Sequence, residues 1–152
     1  MKRLIIIVFS FLTASVWLSA QSELNSAADN IIGIYEVLHH GEATHVSVFK
    51  NTDGTYTAQI CWVENRLDEN GNVRLDKKNP DESLRKVECD KIVIIKGLVY
   101  NPDKQKWGGT KVYDPARGFK ANVQCEFEDD GRLRVKGTLL CFSQSMYWTK
   151  IK

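Results

Sequence analysis

From Phe119 to Glu128 apolar and polar residues alternate without a break. Phe119, Ala121, Val123, Cys125 and Phe127 fall on one face, and Lys120, Asn122, Gln124, Glu126 and Glu128 on the other. This period of two predicts a half-buried antiparallel strand with solvent on its charged side. Asp129-Asp130-Gly131 then reads as a three-residue loop with glycine at the bulge position. It sets Phe127 opposite Leu133, Cys125 opposite Val135 and Val123 opposite Gly137. A slip of one residue would place Phe127 against Arg134 and turn the apolar set outward. Just upstream, Trp107 to Phe119 reads as a strand, a tight turn and a returning strand. Pro115 pre-sets the turn, the Asp114 carboxylate accepts from a backbone N–H two residues on, and Gly118 takes the positive φ that closes the loop.

The same reading along the rest of the chain predicts strands at 31–37, 44–49, 55–63, 91–100, 105–113 and 145–151, with turns at Gly41, Asn51 to Gly54, and Asn101-Pro102-Asp103. In the third strand Tyr56, Ala58, Ile60 and Trp62 share a face; in the fourth, Lys96-Gly97 interrupts an apolar run. Short, sequential, turn-linked strands, about eight in all, predict an all-β domain. An up-and-down antiparallel barrel, which removes sheet edges by closure, is the first choice, and a two-sheet sandwich the second. Residues 64–90 break the rhythm: polar, without apolar periodicity, and longer than ordinary connections. Asn70-Gly71 and Asn79-Pro80 mark turns inside this segment, which predicts a long ordered loop, either a plain surface excursion or a lid.

The amino terminus changes the picture. Met1-Lys2-Arg3 precedes an apolar run from Leu4 to Leu18 that ends at the small residue Ala20, the pattern of a secretory signal peptide over 1–20. The run is shorter than a membrane span needs and is interrupted by Ser10, Thr13 and Ser15. The mature chain is expected to start near Gln21, with a flexible stretch over 21–30 and one domain over 31–152, in the bacterial periplasm or outside the cell. Of the 21 basic residues, Lys2 and Arg3 leave with the signal, so 19 face 19 acidic ones. A neutral mature chain carries no electrostatic footprint for nucleic acid, and nothing in it predicts membrane insertion.

Several motifs in order, namely Asp76, Asn79 and Pro80, then Leu84-Arg85, then Trp107, Gly109, Tyr113, Asp114, Pro115, Gly118 and Phe119, resemble the bacterial exported family catalogued as domain of unknown function 2147. Ile32-Gly33 and Trp148-Thr149-Lys150 are similar to the ends of that family. The resemblance covers nearly the whole mature chain and implies a small barrel of calycin (lipocalin-like) type with no established activity. The chain departs from the family pattern at Lys86-Val87-Glu88-Cys89-Asp90, where an Arg-Pro-Leu-x-Gly-like stretch is usual.

Candidate chemistry is sparse. His39, His40 and His45, with Glu36 and Glu42, lack a recognised metal-ligand spacing, so no metal and no cofactor are expected. No nucleophile elbow, zinc-protease or catalytic-cysteine signature occurs. Asp68, Asp76 and Glu82 could pair as acid and base, but charges on a polar loop are ordinarily solvated, and no catalytic residue is assigned. Cys125–Cys141 is excluded as a disulfide: in the register above, Cys141 lies opposite Phe119, roughly 20 Å of strand from Cys125. Cys61 and Cys89 bracket the long loop and are the candidate pair, against the alternative of two free thiols.

Trp62, Trp107 and Trp148, with Tyr35, Tyr56, Tyr100 and Tyr113, lie on predicted strands. They either fill the barrel or line an apolar pocket at one mouth. The first functional expectation is an exported binding module for a small apolar or amphipathic ligand, with Asn79 and Arg85 as polar contacts and Trp107 and Tyr113 as apolar wall. Asp76, Pro80, Asp114, Pro115 and Gly118 are expected to be structural. A structural or protein-interaction module of the cell envelope with a filled barrel is the alternative, and an uncharacterised enzyme the third.

Overall fold

The computed structural model describes residues 26–39 and 41–152. The signal-peptide segment 1–20, the mature start at Gln21 and His40 lie outside the described residues. Residues 26–29 form one helical turn. Ile31–Lys152 is a compact unit, built as β1 (Gly33–His39), β2 (Glu42–Lys50), β3 (Tyr56–Val63), β4 (Val93–Asn101), β5 (Lys106–Gly108), β6 (Lys111–Asp114), β7 (Phe119–Phe127), β8 (Leu133–Leu139) and β9 (Phe142–Lys150).

Every pairing is antiparallel. The order β3-β2-β1-β9-β8-β7, then β5 and β6 in one position, then β4, closes on itself through β4 against β3. The result is a closed eight-position barrel, not a sandwich. The β7–β8 register is the one read from the alternation, with Phe127 opposite Leu133, Cys125 opposite Val135 and Val123 opposite Gly137. The predicted strand 105–113 is divided: Gly109, at φ 81°, breaks it into β5 and β6.

Two irregularities shift which residues face inward. Between β2 and β3, Val46 pairs with Ile60 but His45 pairs with Trp62, so Cys61 is an extra residue in a bulge. Beyond it the alternation inverts. Val63 is buried and Trp62 stands outside, stacked on His45 with ring centroids 4.5 Å apart. The expectation that Trp62 shares a face with Ile60 is therefore corrected. In β4, Gly97 at φ 76° makes the corresponding adjustment, leaving both Ile95 and Leu98 buried.

Strand direction gives the barrel two ends. The turns at 51–55, 102–105 and 128–132 lie at one; the turns at 40–41, 115–118 and 140–141, with the 64–90 connection, lie at the other. The first end is filled. Tyr35, Val48, Tyr56, Leu98, Trp107, Cys125 and Leu133 are all buried there. Burial of an aliphatic side chain such as Val48, Leu98 or Leu133 contributes about 1.5–3 kcal/mol relative to exposure. Tyr35 is buried whole because its hydroxyl donates to the Ile31 carbonyl at 2.8 Å; burial pushes its phenol well above the ordinary value.

Candidate functional site

The second end is hollow. A cavity of about 1220 Å³ runs down from it into the barrel, above the range of about 300–1,000 Å³ usual for small-molecule pockets. Its inner wall is aliphatic: Val37, Val46, Ile60, Ile94, Val112 and Val135 stand around it, with Trp148 at the depth of the filled layer. Gly137 on β8 and Ala121 on β7 are diagonal neighbours; a Cβ on Gly137 would sit 3.5 Å from that of Ala121. Small residues here keep the wall thin. At the rim, Leu139 and Phe142 pair across the last turn of β8 and β9, and both line the cavity. Phe142 and Leu140 are 77% and 91% exposed, and Leu140 holds φ at 55°.

The 64–90 connection lies over part of this mouth, where Asp68 and Arg74 to Lys78 contribute to the lining. It is ordered, as its turn residues predicted. Leu67 bridges Val73 around Gly71, and Leu75 bridges Glu88. Asp68 Oδ1 accepts from the Asn70 and Asn72 amides. At its root, Arg66 donates to Asp90 at 2.7 Å and to Glu88 at 2.9 Å. That hydrogen bond from Arg66 holds the Asp90 carboxyl below its ordinary value. The stretch at 86–90, where the chain departs from the family pattern, thus anchors the loop, with the Val87 carbonyl also accepting from the Asp76 amide.

The centre of this clamp is Asp76. It is 3% exposed and accepts from the Tyr113 hydroxyl and from Asn79 Nδ2, both at 2.6 Å. Asn79 Oδ1 accepts in turn from the Asp81 amide, and its carbonyl accepts from Arg85 Nε at 2.8 Å. Burial, and then the bond to Asp76, push the Tyr113 phenol well above its ordinary value, so it remains a donor. A second tie lies beside it. Asp114 Oδ1 accepts from the Ala116 and Arg117 amides, Gly118 closes the turn at φ 75°, and Lys78 Nζ donates to the Ala116 carbonyl at 2.7 Å.

The four residues expected to touch a ligand are therefore placed differently from one another. Tyr113 lines the cavity. Asn79 is buried in the Asp76 clamp, and Arg85 braces it from outside, paired also with Glu82 at 3.1 Å. Trp107 packs at the filled end against Tyr100 and Phe127, with centroids at 4.8 and 5.7 Å. Asp76, expected to be structural, is itself on the cavity lining. The aliphatic wall and Trp148 complete the site; the inward phase of Ile60 and Val135 was legible in the alternation, but the height at which filling stops was not.

Cys61 donates to the His45 carbonyl on the outer surface, and Cys89 donates to the Arg66 carbonyl from a buried position. These two, Cys125 and Cys141 are all free thiols. His39 lies at the rim and His45 stands 3.8 Å from Glu36. Among the described residues no three His, Cys, Asp or Glu side chains converge as a metal site, and no helix is long and apolar enough to cross a membrane.

A model of the family described as "Uncharacterized protein conserved in bacteria (DUF2147)" matches residues 33–150. The barrel is similar to the solved structure of a protein from the human pathogen Helicobacter pylori, described as belonging to the lipocalin family. The TM-score is 0.63 at 22% identity, over 80% of this chain and 83% of that one. At that identity the likeness speaks for the fold alone. No curated protein matches the chain.

Proposed function

This chain belongs to the bacterial DUF2147 family, and from that premise we propose that it is an exported, non-catalytic module that binds one small apolar or amphipathic ligand in the open half of its lipocalin-like barrel. The observation that carries this reading is the cavity of about 1220 Å³ with aliphatic walls. A purely structural barrel gains stability by packing its interior to native density, and forgoing that contact is costly. Several charged groups at the mouth support binding over catalysis, since neighbouring side chains already engage them. Arg74 pairs with Glu42 at 3.4 Å, Arg117 with Asp114 at 3.7 Å, and Asp76 with Tyr113 and Asn79. Export rests on the amino-terminal segment.

Native mass spectrometry of protein purified from its source should detect a bound species that is lost on unfolding. The apolar dye N-phenyl-1-naphthylamine should enter the purified barrel and brighten. Gly137→Phe, at an inward position with room for a Cβ, should intrude on the cavity and weaken dye uptake while the protein stays folded. Undiminished uptake by the folded variant would place the dye elsewhere and overturn the reading.

A further inference from the structure

The cavity floor carries one polar group that the protein leaves unanswered. β9 sets Trp148 opposite the fully buried Leu133, at the top of the filled layer. Its ring lies 6.1 Å from that of Tyr35. Trp148 is 3% exposed, yet it lines the cavity, and its Nε1 is buried with no hydrogen-bond partner among the described residues. Among the cavity-lining side chains, Val37, Val46, Ile60 and Val135 offer no acceptor, and Met146, two residues away on β9, offers only a weak thioether acceptor that makes no hydrogen bond to it. The Tyr35 hydroxyl is committed to the Ile31 carbonyl.

A buried donor without a partner loses the full desolvation of that group, so natural structures rarely keep one without a reason. Here the reason is available in the reading of the barrel as a binding module, on which this inference rests. We propose that Trp148 Nε1 is the deep polar contact of the ligand, and that the ligand enters with an uncharged hydrogen-bond acceptor leading: a carbonyl, ester or ether oxygen at the inner end of a largely apolar molecule.

The chemistry narrows the class from three sides. Indole N–H donates and does not accept, so the inner group must accept. A plain hydrocarbon end leaves the N–H unpaired and is discriminated against, as sites built around a polar group reject analogues that lack its partner. A carboxylate or phosphate would exchange its hydration for a single N–H among aliphatic side chains, which is prohibitive. The charged end of an amphipathic ligand therefore belongs at the mouth. Trp148 lies six residues along β9 from Phe142 at the rim, about 20 Å of strand, or roughly 15 Å of depth at the usual barrel tilt. A medium-length chain spans that depth.

The test uses two probes of equal chain length, the ketone 2-dodecanone and the alkene 1-dodecene, as competitors of N-phenyl-1-naphthylamine on the intact protein and on Trp148→Phe. The variant keeps an aromatic ring and removes only the donor. Ketone affinity should fall about ten-fold in the variant, as expected for a buried donor–acceptor pair, while alkene affinity stays within about two-fold. In the unaltered protein, the Trp148 indole ¹⁵N–¹H resonance should move downfield with ketone and not with alkene, a readout that stands even if the variant fails to fold. An equal loss for both probes, or an indole resonance that ignores a ketone which displaces the dye, overturns the inference and leaves the binding module standing. Failure of the dye itself to bind removes both.

Discussion

Replacing Tyr113 by Phe deletes one oxygen and keeps the ring on the cavity wall, which makes it a clean probe of the clamp between barrel and loop. The lost hydroxyl donates to Asp76 Oδ1 at 2.6 Å, and Asp76 is 3% exposed. Asn79 cannot supply the missing donor. Its Nδ2 is already on the other carboxylate oxygen, and its Oδ1 is held by the Asp81 amide. A hydrogen bond to a buried charged group contributes about 1.5–3 kcal/mol. For a domain of this size that corresponds to a fall in melting temperature of roughly 5–10 °C. Thermal unfolding of both proteins measures it, and hydrogen exchange should show the amides of residues 76–88 losing protection ahead of those of β7 and β8. Asp76→Asn, which removes the charge and one of the two acceptors, should also destabilise the loop, and the double variant should fall short of the sum. A Tyr113→Phe melting temperature within about 1 °C of the parent, with loop protection intact, would refute the clamp.

The neighbouring contact is tested by Gly118→Ala. A Cβ there would stand 2.5 Å from the Lys78 carbonyl oxygen at a backbone φ of 75°, so the variant should lose about 2 kcal/mol or more and release the loop from the 115–118 turn. Wild-type stability would show that this approach is not tight. Thiol labelling of the reduced protein near pH 8 should find two fast cysteines, Cys141 and Cys61, with Cys61 slowed because burial pushes its thiol up. Cys125, whose thiol burial pushes up to about 12, and buried Cys89 should react only on unfolding. Rapid native labelling of Cys125 would contradict its place in the filled end.

The parts of the fold that were legible in the sequence are those governed by local rules. The β7–β8 hairpin could be placed to the residue because its alternation is unbroken and Asp129-Asp130-Gly131 admits one loop type. The Asp114-Pro115 turn was legible for the same reason. Trp62 was misplaced because one inserted residue, Cys61, inverts the phase beyond it, and a bulge leaves no compositional trace. The bond that holds Asp76 was not legible because its partner Tyr113 lies 37 residues away, a meeting that only closure of the barrel arranges. Arg85, expected as a polar ligand contact, instead holds the Asn79 carbonyl, a meeting that depends on how the loop folds back on itself. The cavity itself was the least legible. Whether inward aromatics fill a barrel or bound a chamber depends on their height. Trp107 and Trp148 look alike in sequence but lie in the packed end and at the cavity floor, respectively.

That division by height separates two kinds of heritable change. Substitutions at Tyr35, Tyr56, Leu98 or Leu133 act on the packed end and are felt as lost stability. Substitutions at Val37, Val46, Ile60 or Val135 reshape a chamber while the packing beneath them stays whole. Descendants of such a chain can therefore change the shape of that chamber through single, tolerable steps. A barrel packed along its whole length would have to pass through destabilised ancestors to do the same.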